Sequence, residues 1–145
     1  MKQLPFVFIL LCALSSQAQS TNLATAEATA KKEGKLILIE FSGSDWCIPC
    51  IRLEKEVFSK DTFVSFAASH LVILQADFPR LKKHQLPKTQ KAANEALAAL
   101  YNKEGSFPYT VLLNADGTVL KTWEGNTLGT AKAFVAQLQS LTHDK

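Results

Sequence analysis

The chain has 145 residues, 47% of them hydrophobic and 20% charged, with a formal net charge of +3. Those proportions describe one globular domain with an ordinary core, and they exclude a disordered or fibrous chain. The small net charge argues against nucleic acid as a partner.

The first twenty residues differ from the rest. Lys2 precedes an apolar run, Leu4 to Leu14, that is too short to span a bilayer. Ser16 and Ala18 follow as small residues, so residues 1–18 read as a secretory signal peptide cleaved after Ala18. A retained anchor is the alternative. Export predicts a periplasmic or secreted protein, residues 19–145 as one domain, and no stable membrane insertion once the leader is removed. It also places Cys47 and Cys50, the cysteines that outlast Cys12, where disulfides persist.

Downstream, Asn22 to Lys32 is Ala-rich and stopped by Gly34, which predicts a helix. "KLILIEF" (Lys35 to Phe41) is a near-continuous β-prone run interrupted only by Glu40, the pattern of a strand buried on both faces. After the turn "SGSD", apolar residues recur at helical spacing from Cys50 to Phe58, and a short helix begins near Asp61. "LVILQADF" (Leu71 to Phe78) reads as a second buried strand. The proline-bracketed segment 79–88 reads as a loop, and Thr89 to Lys103 as the strongest helix, ended by Gly105. Two β-rich runs, Tyr109 to Leu113 and Thr118 to Trp123, flank the Asp116-Gly117 turn signal of a hairpin. Thr130 to Leu141 closes as an amphipathic helix. The order α-β-α-α-β-α-β-β-α predicts a mixed sheet with helices on both faces.

"SDWCIPC" (Ser44 to Cys50) carries the chemistry. A first cysteine at a helix start lies where unpaired N–H groups and the helix dipole favour an anion, so its pKa falls and it becomes the attacking thiolate. The second cysteine, one turn on, can resolve a mixed disulfide, and Pro49 is tolerated in the first turn. Cys47 is thus the expected nucleophile and exposed, with Cys50 the resolving thiol behind it. A structural staple is disfavoured, because closing so short a loop constrains little of the unfolded chain. A copper or zinc carrier using the same two sulfurs is the competing reading. It lacks partners: there is no second C-x-x-C, and His70, His84 and His143 stand at spacings unlike the common zinc sets.

"LILIEFSGSDWCIPC" resembles the strand-turn-helix core of the thioredoxin family, and "SFPYTVLLNADG" resembles that family's second signature, a cis-proline preceding a strand. The likeness covers about residues 22 to 142. It is nearest to exported bacterial thioredoxin-like proteins and to the soluble redox domains of thiol:disulfide interchange proteins. The resemblance implies an α/β thioredoxin-like fold, a central mixed sheet flanked by helices on both faces. It implies a protein-disulfide oxidoreductase without cofactor or metal, a monomer whose partners are protein thiols and disulfides. Trp46 would flank the site, and Pro108 would be cis, presenting the Phe107 backbone to an incoming chain. Phe107 and Tyr109 are candidates to touch substrate, one of them packing inward.

Glu40 falls where the family often carries a buried acid that exchanges protons with the second cysteine. Here Glu stands where Asp is common, one residue further from the first cysteine. Buried, it is a candidate proton shuttle with a raised pKa; at a strand end it is merely solvated or salt-bridged. Asp45 reads as a turn former. Lys82, Lys83, His84 and Lys88 read as a solvated loop rather than a device that steers acidic partners. Ile48 and Pro49 between the cysteines add no charge or side-chain donor, whereas strongly oxidising relatives often have a histidine there, so a reductase is favoured. It would draw electrons from a membrane thiol relay. A non-catalytic interaction module on the Trp46–Pro108 surface is the remaining alternative.

Overall fold

The computed structural model describes residues 22–142; residues 1–18, expected from the sequence to be a signal peptide, and His143 lie outside them. Helix α1 (Leu23–Glu33) opens the described chain. The Asn22 side chain accepts the N–H groups of Ala24 and Thr25, and Gly34 closes the helix at φ +66°, a conformation that costs glycine little. There follow β1 (Leu36–Ser42), α2 (Ile48–Leu53) continuing into a π-helical turn (Glu54–Phe58), α3 (Asp61–His70) and β2 (Leu71–Asp77). A 3₁₀ turn (Lys82–His84), α4 (Lys88–Tyr101), β3 (Tyr109–Leu113), β4 (Val119–Glu124) and α5 (Ala131–Thr142) complete the order.

The four strands form one mixed sheet in the order β2-β1-β3-β4. β1 pairs parallel with β2 and antiparallel with β3, and β3 pairs antiparallel with β4. Successive side chains of a strand point to opposite faces, so β1 divides itself between two cores. Leu36 and Leu38 enter a core with Leu53, Phe63 and Phe134; Ile37, Ile39 and Phe41 enter another with Ala26, Ala30 and Leu97. The thioredoxin-like arrangement of a mixed sheet between two helical layers is therefore present. The same parity puts Glu40 on the face covered by α2.

Phe134 locks the first core. It is fully buried and meets Phe58, Phe63 and Trp123 at ring-centroid distances of 6.1, 5.8 and 5.1 Å. Phe134→Ala should cost about 3–5 kcal/mol of unfolding free energy, read as a lowered midpoint in a denaturant titration.

Two expectations need correction. β2 is an edge strand: Val72 and Ile73 are half-buried and Gln75 is exposed, because only β1 pairs with it and the other edge meets no strand among the described residues. Helix α4 stops at Tyr101 rather than Lys103. There the Asn102 side chain accepts the Ser106 N–H and donates to the Ser106 carbonyl, folding the chain toward β3 before Gly105 is reached.

Candidate active site

β1 ends on the α2 face in a row of polar residues. Glu40 is in register with Gln75 of β2 on one side and Thr110 of β3 on the other, and Ser42 with Asp77. Asp77 accepts hydrogen bonds from the Ser44 N–H (2.8 Å) and hydroxyl (2.6 Å), which bends the chain off the sheet. The N–H groups of Trp46 and Cys47 then donate to the Gly43 carbonyl. Gly43 is required by close approach, since a Cβ there would fall inside the Trp46 indole.

Trp46 is held on three sides. Its Nε1–H donates to the Phe78 carbonyl at 2.8 Å, its ring stands edge-on to Phe107 at 5.5 Å, and the Arg80 guanidinium lies 3.7 Å above the ring centre. Phe107 meets Phe78 in turn. Both Phe107 and Tyr109 are half-buried and pack against the second core, so neither projects freely.

Cys47 caps the N-terminus of α2, and its Sγ accepts the Cys50 N–H at 3.3 Å. Cys47 and Cys50 form a disulfide, with their Cα atoms 5.2 Å apart. The expected contrast between an exposed Cys47 and a hidden Cys50 is not seen. In the oxidised pair the residues are 5% and 4% exposed. Exposure falls instead on the side chains beside them, Ile48 and Ile51. The Phe107–Pro108 peptide bond is cis. Pro108 is buried, and its carbonyl accepts the Gly125 N–H at 2.9 Å. The backbone N–H and C=O of Phe107 have no hydrogen-bond partner among the described residues.

Glu40 is not a solvated strand end. It is 7% exposed and makes no ion pair among the described residues. Burial, reinforced by the negative charge of Glu54 and only partly offset by a hydrogen bond from Gln75, raises its pKa to about 8. Glu40, Glu54, Cys50, Pro108 and Thr110 line one cavity of about 370 Å³. The site therefore brings together a sulfur pair, a cis-proline and a carboxyl poised to change protonation near neutrality.

Asp45 does more than turn the chain. Its carboxylate accepts the N–H groups of Arg80 and Leu81, both at 2.9 Å, and meets His84 Nδ1 at 3.0 Å. The Arg80 N–H foremost, with that of Leu81 and the His84 ring, holds its pKa below the usual aspartate range. His70 is engaged elsewhere, stacked on Phe66 with Nδ1 3.0 Å from the Phe66 carbonyl. Among the described residues no cluster of three or more His, Cys, Asp or Glu side chains is disposed to hold a metal ion.

Sequence reasoning missed Glu54, Asp77 and Arg80. Glu54 was within reach, since it follows Cys50 by four residues and so shares its helical face. Asp77 and Arg80 are joined to the site only through contacts made some thirty-five residues away along the chain.

Comparison with known proteins agrees with this geometry. A family model described as thioredoxin-like domain matches residues 23–142. The disulfide bond reductase DsbH of Chlamydia pneumoniae is 34% identical over 126 residues, covering 87% of this chain and 74% of that protein. A solved structure of a DsbH oxidoreductase superposes with a TM-score of 0.75 at 32% identity, over 86% of this chain and 83% of that one. A disulphide isomerase from Xylella fastidiosa shares the fold at 20% identity, with a TM-score of 0.61 over 93% of this chain and 99% of its own. By the match of that family model to nearly all of its described length, the chain belongs to the thioredoxin-like family.

Proposed function

We propose that the protein reduces disulfides of other proteins outside the cytoplasm, by thiol–disulfide exchange through Cys47 and Cys50. The observation that carries this reading is the Cys47–Cys50 disulfide at the start of α2, beside Pro108 and above the Glu40 cavity. In the reduced protein the Cys47 thiolate, favoured by the Cys50 N–H and the helix start, attacks one sulfur of a substrate disulfide. A mixed disulfide forms, and the other substrate sulfur leaves as a thiolate. Cys50 then gives its proton to ionised Glu40 and attacks Cys47 Sγ, which expels the second substrate thiolate. Glu40 returns its proton to a departing thiolate through the shared cavity. Two electrons have passed to the substrate, and Cys47–Cys50 is left as the disulfide.

The vacant Phe107 backbone groups beside Pro108 suit an extended substrate chain, which would add there as a short strand. Ile48 and Pro49 supply no charge to stabilise the thiolate strongly, which favours reduction over oxidation. The DsbH relative, named a reductase, supports the same direction. The apolar leader at residues 4–14 supports export, and re-reduction then falls to a thiol relay in the membrane. Among the described residues no helix is long and apolar enough to cross a membrane.

Insulin reduction in dithiothreitol tests the reading. The wild-type protein should bring precipitation of the free B chain forward severalfold, and Cys47→Ser should match the protein-free control. Equal lag times for wild type and Cys47→Ser would refute the enzymatic role.

A further inference from the structure

Residues 79–94 carry Arg80, Lys82, Lys83, Lys88 and Lys91 without one Asp or Glu, in a chain whose whole net charge is +3. A run of this kind on a free loop would be only a solvated face. Here it is fastened to the redox turn. Asp45, two residues before Cys47, holds the N–H groups of Arg80 and Leu81 and the ring of His84. Trp46, the residue before Cys47, holds the Phe78 carbonyl. Gln85 closes the segment on itself through the carbonyls of Pro79 and Leu81. These bonds tie residues 78–85, with Arg80, Lys82 and Lys83 among them, to the turn that precedes Cys47.

The charges are also available. Lys91 is 3.9 Å from Glu95, but Arg80, Lys82, Lys83 and Lys88 make no ion pair among the described residues. Asp45 adds one negative charge to this segment, but its side chain is 4% exposed and its oxygens face the Arg80 and Leu81 N–H groups and the His84 ring, so it pairs with none of these cations. Arg80 lies with its guanidinium face on Trp46 at 3.7 Å. Stacking occupies the face of a guanidinium and leaves its edge N–H donors directed outward, the geometry that grips a carboxylate with two hydrogen bonds. Exposed Ile48 and Leu81 give the same surface an apolar component.

We propose that this clamped segment, led by Arg80 with Lys82 and Lys83, is a specificity surface that selects substrate chains carrying Asp or Glu beside the disulfide to be reduced. The inference rests on the oxidoreductase reading and extends it to the class of substrate. As a docked chain brings its disulfide to Cys47, a flanking carboxylate meets Arg80. The lysines raise the encounter rate of acidic chains and slow that of basic ones.

The test uses pre-reduced full-length protein and three synthetic peptides of one loop length, each closed by one disulfide flanked by Asp-Asp, Ser-Ser or Lys-Lys. The order of second-order reduction rates should be Asp over Ser over Lys. The Asp-to-Lys ratio should be about tenfold or more at low salt and fall toward one at high salt, where the charges are screened. The combined variant Arg80→Gln, Lys82→Ser, Lys83→Ser should bring the low-salt ratio near one. Removing three cations elsewhere (Lys103→Ser, Lys121→Ser, Lys132→Ser) should keep most of it. Equal rates for the three peptides, or equal loss of preference in the two triple variants, would overturn the proposal. If wild type reduces no peptide faster than Cys47→Ser does, the oxidoreductase reading itself fails, a separate outcome.

Discussion

Cys50→Ser should arrest the reaction half-way, leaving substrate bound to Cys47 through a disulfide that nothing in the protein resolves. Cys47→Ser should form no such adduct. The asymmetry follows from the local geometry. Cys47 caps α2 and receives the Cys50 N–H, so its sulfur is the one stabilised as an anion and prepared to attack. Cys50 stands a turn further in, on the cavity it shares with Glu40. Removing either sulfur should lower turnover by about three orders of magnitude, toward the background of the added thiol. Non-reducing electrophoresis distinguishes the two, since slow-migrating adducts that dithiothreitol dissolves should accumulate only with Cys50→Ser. Adducts on Cys50 in the Cys47→Ser protein would reverse the assignment.

Glu40→Gln should make the protein more stable and slower. The carboxyl has an ordinary value of 4.5 and is raised by burial to about 8 in the folded protein. A pKa raised on folding contributes stability that is complete below the unfolded value and is lost as pH rises through the folded one. Between pH 4.5 and about 8, the contribution of Glu40 to wild-type stability therefore falls with rising pH, a loss that Glu40→Gln is spared. The variant should be ahead by roughly 3 kcal/mol at pH 7 and show little difference near pH 4. Glutamine cannot take the Cys50 proton, so release of the mixed disulfide should slow by about a hundredfold. Wild type should show a pH–rate inflection near 8 that the variant lacks. Denaturant titrations at several pH values check the first half, and single-turnover rates the second. A variant that keeps the inflection would remove Glu40 from the proton path.

The site was legible in the sequence where a local pattern determines it. Cys47, Pro49 and Cys50 announce a helix start with two sulfurs one turn apart, and Pro108 stands just ahead of a strand. Glu40 was legible only in part. An apolar run buried on both faces loses the period-two signal, so the acid could lie on a covered face or at a wet end. The central place of β1, between β2 and β3, decides for burial. For the same reason "LVILQADF" resembles an interior strand although β2 is an edge, and Gln75 alone marks the difference. Asp45 resembled a turn former because its partners, Arg80, Leu81 and His84, lie on a distant segment that only the tertiary fold brings near. That contact also ties the basic stretch to the turn that precedes Cys47.

The direct measurement of thiol exchange is a single turnover. Reduced wild-type protein is mixed with one equivalent of a protein disulfide, quenched at intervals with an alkylating reagent, and weighed intact. Both Cys47 and Cys50 should become unavailable to the reagent at the rate at which two substrate thiols appear, with a transient adduct carried on Cys47. Two alkylated cysteines persisting while the substrate disulfide stays intact would contradict the account.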